Sequence, residues 1–138
     1  MHVCVIEDDK LLRSLYSELF NRHQIELTQY ENGREALHQL SQTTHLPDII
    51  VVDYLMPVMD GFAFRRHQLT DEKLKPIPCI LVSAYTNTND NEVAMPHFNE
   101  YLTKPVPFRV LQETIEKVLF DNAQDFKRTN RSNELGLP

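Results

Sequence analysis

At 138 residues, with a formal charge of −6, 41% hydrophobic and 25% charged residues, the chain has the size and balance of one globular domain that buries its own core without a structural metal. The acidic balance excludes non-specific binding to nucleic acid, which rewards clustered Lys and Arg, and no apolar stretch approaches the length of a membrane span. No charged-then-apolar leader opens the sequence, so a cytoplasmic protein is expected, with Cys4 and Cys79 as buried free thiols inside apolar runs rather than a disulfide.

Residues His2 to Ile6 read as a short apolar strand, β1, that delivers Glu7-Asp8-Asp9 at its carboxyl end. From Asp9 to near His23, Leu11, Leu12, Leu15, Tyr16, Leu19 and Phe20 recur at helical spacing and predict α1. Residues 25–30 alternate as a half-solvated edge strand, β2. Asn32 followed by Glu35 has the form of an N-cap, opening a short α2 through Ala36, Leu37 and Leu40 before a polar loop at 41–47.

The run Ile49-Ile50-Val51-Val52-Asp53 predicts β3, apolar without alternation and therefore buried on both faces. Pro57 and Gly61 punctuate the segment after Asp53, and Phe62, Phe64 and Leu69 outline α3 before Lys75-Pro76-Ile77-Pro78 stops it. Residues 79–82 form β4, which hands Ser83 to the same edge. Residues 86–95 are polar, so any α4 there is short or irregular and ends at Pro96. Residues 100–103 form β5, leading into Lys104-Pro105, and Phe108, Leu111, Ile115, Val118 and Leu119 mark α5 with Pro107 in its first turn. The domain is expected to span 1–120, with 121–138 as a tail that extends α5, packs back on the domain or is a linker.

Five strand–helix units in alternation predict a flavodoxin-like, doubly wound parallel sheet of order 2-1-3-4-5 with helices on both faces. In that order the ends of β1 and β3 are neighbours at the topological switch point, so Glu7, Asp8 and Asp53 converge. Carboxylates at close quarters raise one another's pKa unless a cation joins them, and Mg2+ suits best, since it takes one or two carboxylates, keeps several waters and prefers a phosphate as a further ligand. Lys104 and Ser83 add an ammonium and a hydroxyl on the far side of Asp53, which together would surround a phosphoryl group on that carboxylate. The six histidines show no ligand spacing in the sequence and read as structural or exposed.

Over roughly residues 3–120 the chain resembles the receiver domains of two-component response regulators. The resemblance rests on Glu7-Asp8-Asp9, the Asp53 strand with Pro57 and Gly61, Ser83-Ala84, Tyr101 and Lys104-Pro105, in that order. It implies that Asp53 is the phosphoacceptor, that Asp8 binds Mg2+ directly and Glu7 through water, and that the Leu55 main-chain carbonyl is a further metal ligand. Asp8-Asp9 is the other register for the acidic pair; Arg13 falls where the family's α1 often has it when Glu7-Asp8 is used. Ser83 and Lys104 would contact phosphoryl oxygens, with Ala84 small to admit the phosphate. The Lys104-Pro105 peptide would be cis, and Tyr101 would be the rotameric switch that turns inward with Ser83, altering the α4-β5-α5 face.

The resemblance also implies a sensor histidine kinase or histidine phosphotransfer protein as donor, and an effector protein or an output domain outside this sequence as recipient. Such a chain is no enzyme beyond catalysing its own phosphorylation and dephosphorylation, and is a monomer or a phosphorylation-dependent dimer. Met95-Pro96-His97-Phe98-Asn99 replaces the family's usual glycine-containing turn, which puts a dimer through the α4 face in doubt. Leu55 and Tyr85, two residues beyond Asp53 and Ser83, are expected to exclude hydrolytic water and slow the loss of phosphate. Two other functions compete. A haloacid-dehalogenase-type phosphatase wants a second aspartate two residues after its nucleophile, where Leu55 stands; a phosphorylation-independent interaction module would keep the fold without using the site.

Overall fold

The computed structural model describes residues 1–84, 97–134 and 136. Five parallel strands, β1 (His2–Ile6), β2 (Glu26–Tyr30), β3 (Ile49–Asp53), β4 (Cys79–Ser83) and β5 (Glu100–Thr103), pair in the order β2-β1-β3-β4-β5, the order the alternation predicts. The helices are α1 (Lys10–Arg22), α2 (Gly33–Gln42), α3 (Gly61–Leu69) and α5 (Phe108–Glu134). The stretch expected to carry α4, with Tyr85 and Pro96, lies outside the described residues.

Each helix start has a local cause. Asp9 caps α1 by accepting from the amides of Leu11 and Leu12, Asn32 caps α2 by accepting from Glu35, and Asp60 caps α3 by accepting from Ala63. Pro107 stands just before α5 rather than inside its first turn, and its carbonyl accepts from Leu111. Helix α2 continues to Gln42, two residues into the segment expected to be loop, because Thr43 and not Ser41 is its C-cap. Helix α5 runs on through the expected tail to Glu134, the first of the three alternatives for that segment.

Side chains of successive strand residues point to opposite faces, and the sheet sorts its core accordingly. Cys4, Ile6, Ile50, Val52, Cys79 and Leu81 face α2 and α3, where they meet Ala36, Leu40, Phe64 and Leu74. Val3, Val5, Ile49, Val51, Ile80 and Val82 face α1 and α5, where they meet Tyr16, Phe20, Leu111, Ile115 and Val118. The three central strands are buried at every position, which is why they show no alternation in sequence. Cys4 and Cys79 both pair in register with Ile50, one from each side of β3. Two strand spacings, about 9.6 Å, separate them, too far for a bridge, and burial pushes the Cys79 thiol up to about 12.

One polar network is buried beneath this core. Arg65, 8% exposed, donates from Nε to the carbonyl of His97 at 2.8 Å and from Nη1 to Gln68 Oε1 at 2.8 Å. Gln68 in turn donates to the carbonyls of Leu74 and Ile77 at 3.0 and 2.9 Å. A buried guanidinium is tolerated because its donors are spent on such carbonyls, and the network ties α3 to the segment that enters β5.

Gly61, at the start of α3, sits against the end of β3. A Cβ placed there would lie 2.7 Å from the Asp53 carbonyl and 3.0 Å from Leu81 Cδ1, so the backbone must move to admit it. Gly61→Ala is expected to lower the free energy of unfolding by about 1–3 kcal/mol, measured by urea denaturation; an unchanged midpoint would show that the loop gives way freely.

Candidate functional site

The functional side chains stand at or one residue past the strand ends, and the sheet's hydrogen-bond ladder continues far enough to hold them. The Glu7 amide donates to the Tyr30 carbonyl at 3.0 Å, Tyr54 to Val82 at 2.9 Å and Lys104 to Ser83 at 2.8 Å. The register pairs Ile6 with Val52, so the next step sets Glu7 beside Asp53. Glu7, Asp53 and Lys104 also share the strand parity of the residues that face α1 and α5, whereas Ser83 and Tyr101 share the parity of the face toward α2 and α3. The sheet thus presents two groups: charges on one side of the edge, a hydroxyl and an aromatic ring on the other.

Glu7 and Asp53 are 3% and 7% exposed. The Lys104 ammonium lies between them, donating to Glu7 Oε2 at 3.1 Å and lying 3.2 Å from Asp53 Oδ2. Burial, then the charge of Asp53, pushes Glu7 up to about 7 against the pull of Lys104. Burial also raises Asp53, with Lys104 opposing. For Lys104 burial alone would lower the pKa, but the two carboxylates outweigh it and the ammonium is held above its usual value.

Asp8 is exposed and completes the acidic group: one carboxylate oxygen from each of Glu7, Asp8 and Asp53 lies within 4.8 Å of the other two. Asp9 is engaged as the α1 cap, 2.9 Å from the Leu11 amide, and Arg13 donates to the Glu7 carbonyl at 2.7 Å. Three carboxylates against one ammonium leave a deficit of positive charge, and an all-oxygen donor set fits a hard divalent cation. Such an ion here would lower the carboxylate pKa values and supply a positive charge next to Asp53.

Ser83 is 1% exposed at the end of β4. Tyr101 is half-buried against the α2–α3 side of the core. Ala84 is exposed, Leu55 is 54% exposed, and the Lys104-Pro105 peptide is cis. The loop after Asp53 closes through bonds from Met59 to the Pro57 carbonyl and from Gly61 to the Tyr54 carbonyl, both 2.8 Å. Within it Val58 holds φ at 73°, a conformation that costs a β-branched residue roughly 1–3 kcal/mol.

The residues match the model for the response regulator receiver domain over positions 3–116. The chain belongs to the response regulator receiver family. Among known receivers, it is 30% identical over 120 residues to the polar-differentiation response regulator DivK of Brucella anthropi, covering 86% of this chain and 96% of that one. Of solved structures, the signal receiver domain of a signal transduction histidine kinase from Syntrophus aciditrophicus superposes with a TM-score of 0.77 at 28% identity, covering 87% and 90% of the two chains. The response regulator TrrA from Thermotoga maritima, solved in complex with Mg(2+)-BeF, superposes with a TM-score of 0.72 at 25% identity, covering 85% and 97%. The receiver fold is a signalling module rather than a catalytic enzyme. No helix among the described residues is long and apolar enough to cross a membrane.

Two groupings lie outside the sequence expectations for this receiver. The Arg65–Gln68 network has no signature, because an arginine on a helix reads as solvent-facing until its neighbours are known. The histidines read singly as structural or exposed, yet His2 and His45 stack against each other with ring centroids 4.7 Å apart. Their separation in sequence hides a meeting that only the sheet order creates.

The raised pKa of Glu7 sets a pH dependence in metal-free buffer. Between about 4.5, its ordinary value, and about 7, the unfolded chain has released a proton that the folded one keeps, so folding stability falls as pH rises. Urea titrations in EDTA are expected to show a loss on the order of 1–3 kcal/mol over that window. Glu7→Gln should flatten the slope and be the more stable protein above pH 7; an equal slope in both would place the titration elsewhere.

Proposed function

We propose that this receiver accepts a phosphoryl group on the Asp53 carboxylate from a phosphohistidine on a sensor kinase or phosphotransfer protein, with Mg2+ held by Asp8, by Glu7 through water, by Asp53 and by the Leu55 main-chain carbonyl. The observation that carries this reading is the Lys104 ammonium 3.2 Å from Asp53 Oδ2 and 3.1 Å from Glu7 Oε2, a positive charge shared between the two acids rather than set on the far side of Asp53 as the sequence suggests. Phosphoryl transfer needs little covalent chemistry from the protein beyond the nucleophile; positioning and charge neutralisation supply the catalysis. Asp53 would attack phosphorus as the phosphorus–nitrogen bond of the donor breaks and the imidazole leaves; Lys104 would neutralise charge on the phosphoryl oxygens, and a divalent ion held by the acidic group would supply the further positive charge. The magnesium complex described for TrrA supports the same ion here.

Ser83 and Tyr101 are the switch pair of this reading. They share one face of the sheet, and Leu81 pairs in register with Tyr101 two residues before Ser83, so a hydroxyl drawn toward the phosphoryl group frees space on the side where Tyr101 packs. The signal is a population shift on the face that includes β5 and α5. Exposed Leu11 and Leu15 on α1, with Leu55 and Val58 beyond β3, offer apolar contacts beside the site for the donor protein. The location proposed is the cytoplasm, where the two buried free thiols stay reduced. The dehalogenase reading fails at Leu55, and no observation favours the module that works without phosphate.

Incubation with acetyl phosphate and Mg2+ should add the mass of one phosphoryl group to the intact protein, and the adduct should vanish in Asp53→Asn or when EDTA replaces Mg2+. Absence of the adduct even with a phosphohistidine donor would overturn the proposal. Leu55→Asn should shorten the lifetime of the phosphoprotein several-fold, because an amide there orders water that leucine excludes; equal lifetimes would remove Leu55 from that role.

A further inference from the structure

At the sheet edge opposite the carboxylates, His2 opens β1, Glu26 opens β2 and the two are register partners, while His45 arrives from the loop between α2 and β3. One potential ligand atom from each lies within 4.8 Å of those of the other two. His45 Nε2 is 2.9 and 3.1 Å from the two carboxylate oxygens of Glu26, and His2 Nε2 is 3.9 Å from Glu26 Oε2. His2 is rigid: it is 6% exposed, its amide donates to Asp48 Oδ2 and its carbonyl accepts from the Asp48 amide, both at 2.8 Å. Its Nδ1 is buried with no hydrogen-bond partner among the described residues, so Nε2, 2.7 Å from the Thr28 hydroxyl, is the nitrogen through which the ring meets polar neighbours.

We propose that His2, Glu26 and His45 form a second metal site, specific in kind for Zn2+, that pins the α2–β3 loop to the first residues of β1 and β2. Two imidazoles and one carboxylate are a recurrent zinc donor set, whereas Mg2+ prefers oxygen alone and stays at the acidic cluster. Metal–ligand bonds of about 2.0–2.2 Å in a tetrahedron set neighbouring donor atoms about 3.3–3.6 Å apart, and the separations of 2.9 and 3.9 Å from Glu26 Oε2 fall on either side of that span.

The fixed member is the buried one. Glu26 and His45 have side chains 54% and 69% exposed, so they are free to adjust. His45 leaves the stacked arrangement, in which the rings are tilted by only 11°, to turn its lone pair toward the ion, and water completes the tetrahedron. The hydrogen bond from His45 holds Glu26 below the usual carboxylate range, so the acid is already ionised. Binding through His2 Nε2 displaces the Thr28 hydroxyl and leaves the ring proton on a buried Nδ1 without an acceptor. Both effects weaken the site relative to one whose histidines are buttressed.

The test uses the full chain without a histidine tag, stripped with EDTA and returned to saturating Mg2+ so that the acidic cluster is occupied. Calorimetric titration with ZnCl2 should show one ion per chain, and His45→Ala and Glu26→Gln should each weaken it ~10-fold or more, since losing a ligand costs at least what losing a supporting partner does. Co2+ should give the visible absorption of a tetrahedral site in the parent and lose it in both variants. Zn2+ should raise Tm by several degrees in the parent alone. Glu26→Gln still hydrogen-bonds His45, so a Zn2+ affinity unchanged in that variant, or no binding up to about 1 mM Zn2+, would overturn the proposal and leave a hydrogen-bonded His–Glu pair. The outcome is independent of whether Asp53 takes a phosphoryl group.

Discussion

The placement of one ammonium between two buried carboxylates is the constraint on which the functional edge depends. Glu7 and Asp53 come from neighbouring strands whose register leaves them side by side, and burial at 3% and 7% exposure makes their mutual repulsion expensive. Lys104 reaches both from β5, two strands away from β3 across the buried end of β4. It opposes the upward shifts of both acids without cancelling them: burial is the leading cause of each, the charge of Asp53 adds to the shift of Glu7, and the charge of Asp8 adds to that of Asp53. The edge is therefore left short of positive charge, which is the condition under which a divalent ion and then a phosphoryl group gain most from entering.

The parity of the strands decides which layer of the molecule each group at this edge faces. Charged groups lie on the α1–α5 side of the edge, Ser83 and Tyr101 on the other, so the two groups adjoin different layers of the molecule. Gly61 belongs to the same logic: its lack of a side chain lets α3 begin directly against the Asp53 carbonyl, fixing the strand end from below while Lys104 fixes it from above.

Much of this was legible in the residues because the signals were local. The β-branched run 49–52 could only be an interior strand, Asn32 and Glu35 wrote the start of α2, and strand ends bearing Glu7, Asp53, Ser83 and Lys104 lined up once the order of the sheet was set. The features that stayed hidden depended on distant partners. The Asp60 cap shows only through its bond from Ala63, Arg65 carries no sign of burial until the carbonyls of Ile77 and His97 are placed around it, and His2 meets His45 only because the loop that enters β3 runs against the start of β1. The length of α5 was also open in sequence, since the polar residues after Phe120 have no apolar stripe and reveal neither helix nor coil by periodicity.

That length has a mechanical consequence. Helix α5 has 27 residues, about 40 Å at 1.5 Å per residue, and from Asp121 to Arg131 every residue is exposed. Its first half is clamped to the sheet by Leu111, Ile115 and Val118, and its second half is a free arm. A rigid arm anchored at one end is a lever: a tilt of about 10° at the clamped half carries the far end some 3–4 Å, on the order of 20 Å away. Small adjustments in the packing of α5 on the sheet are thereby enlarged toward Glu134 into displacements on the scale of a side-chain contact.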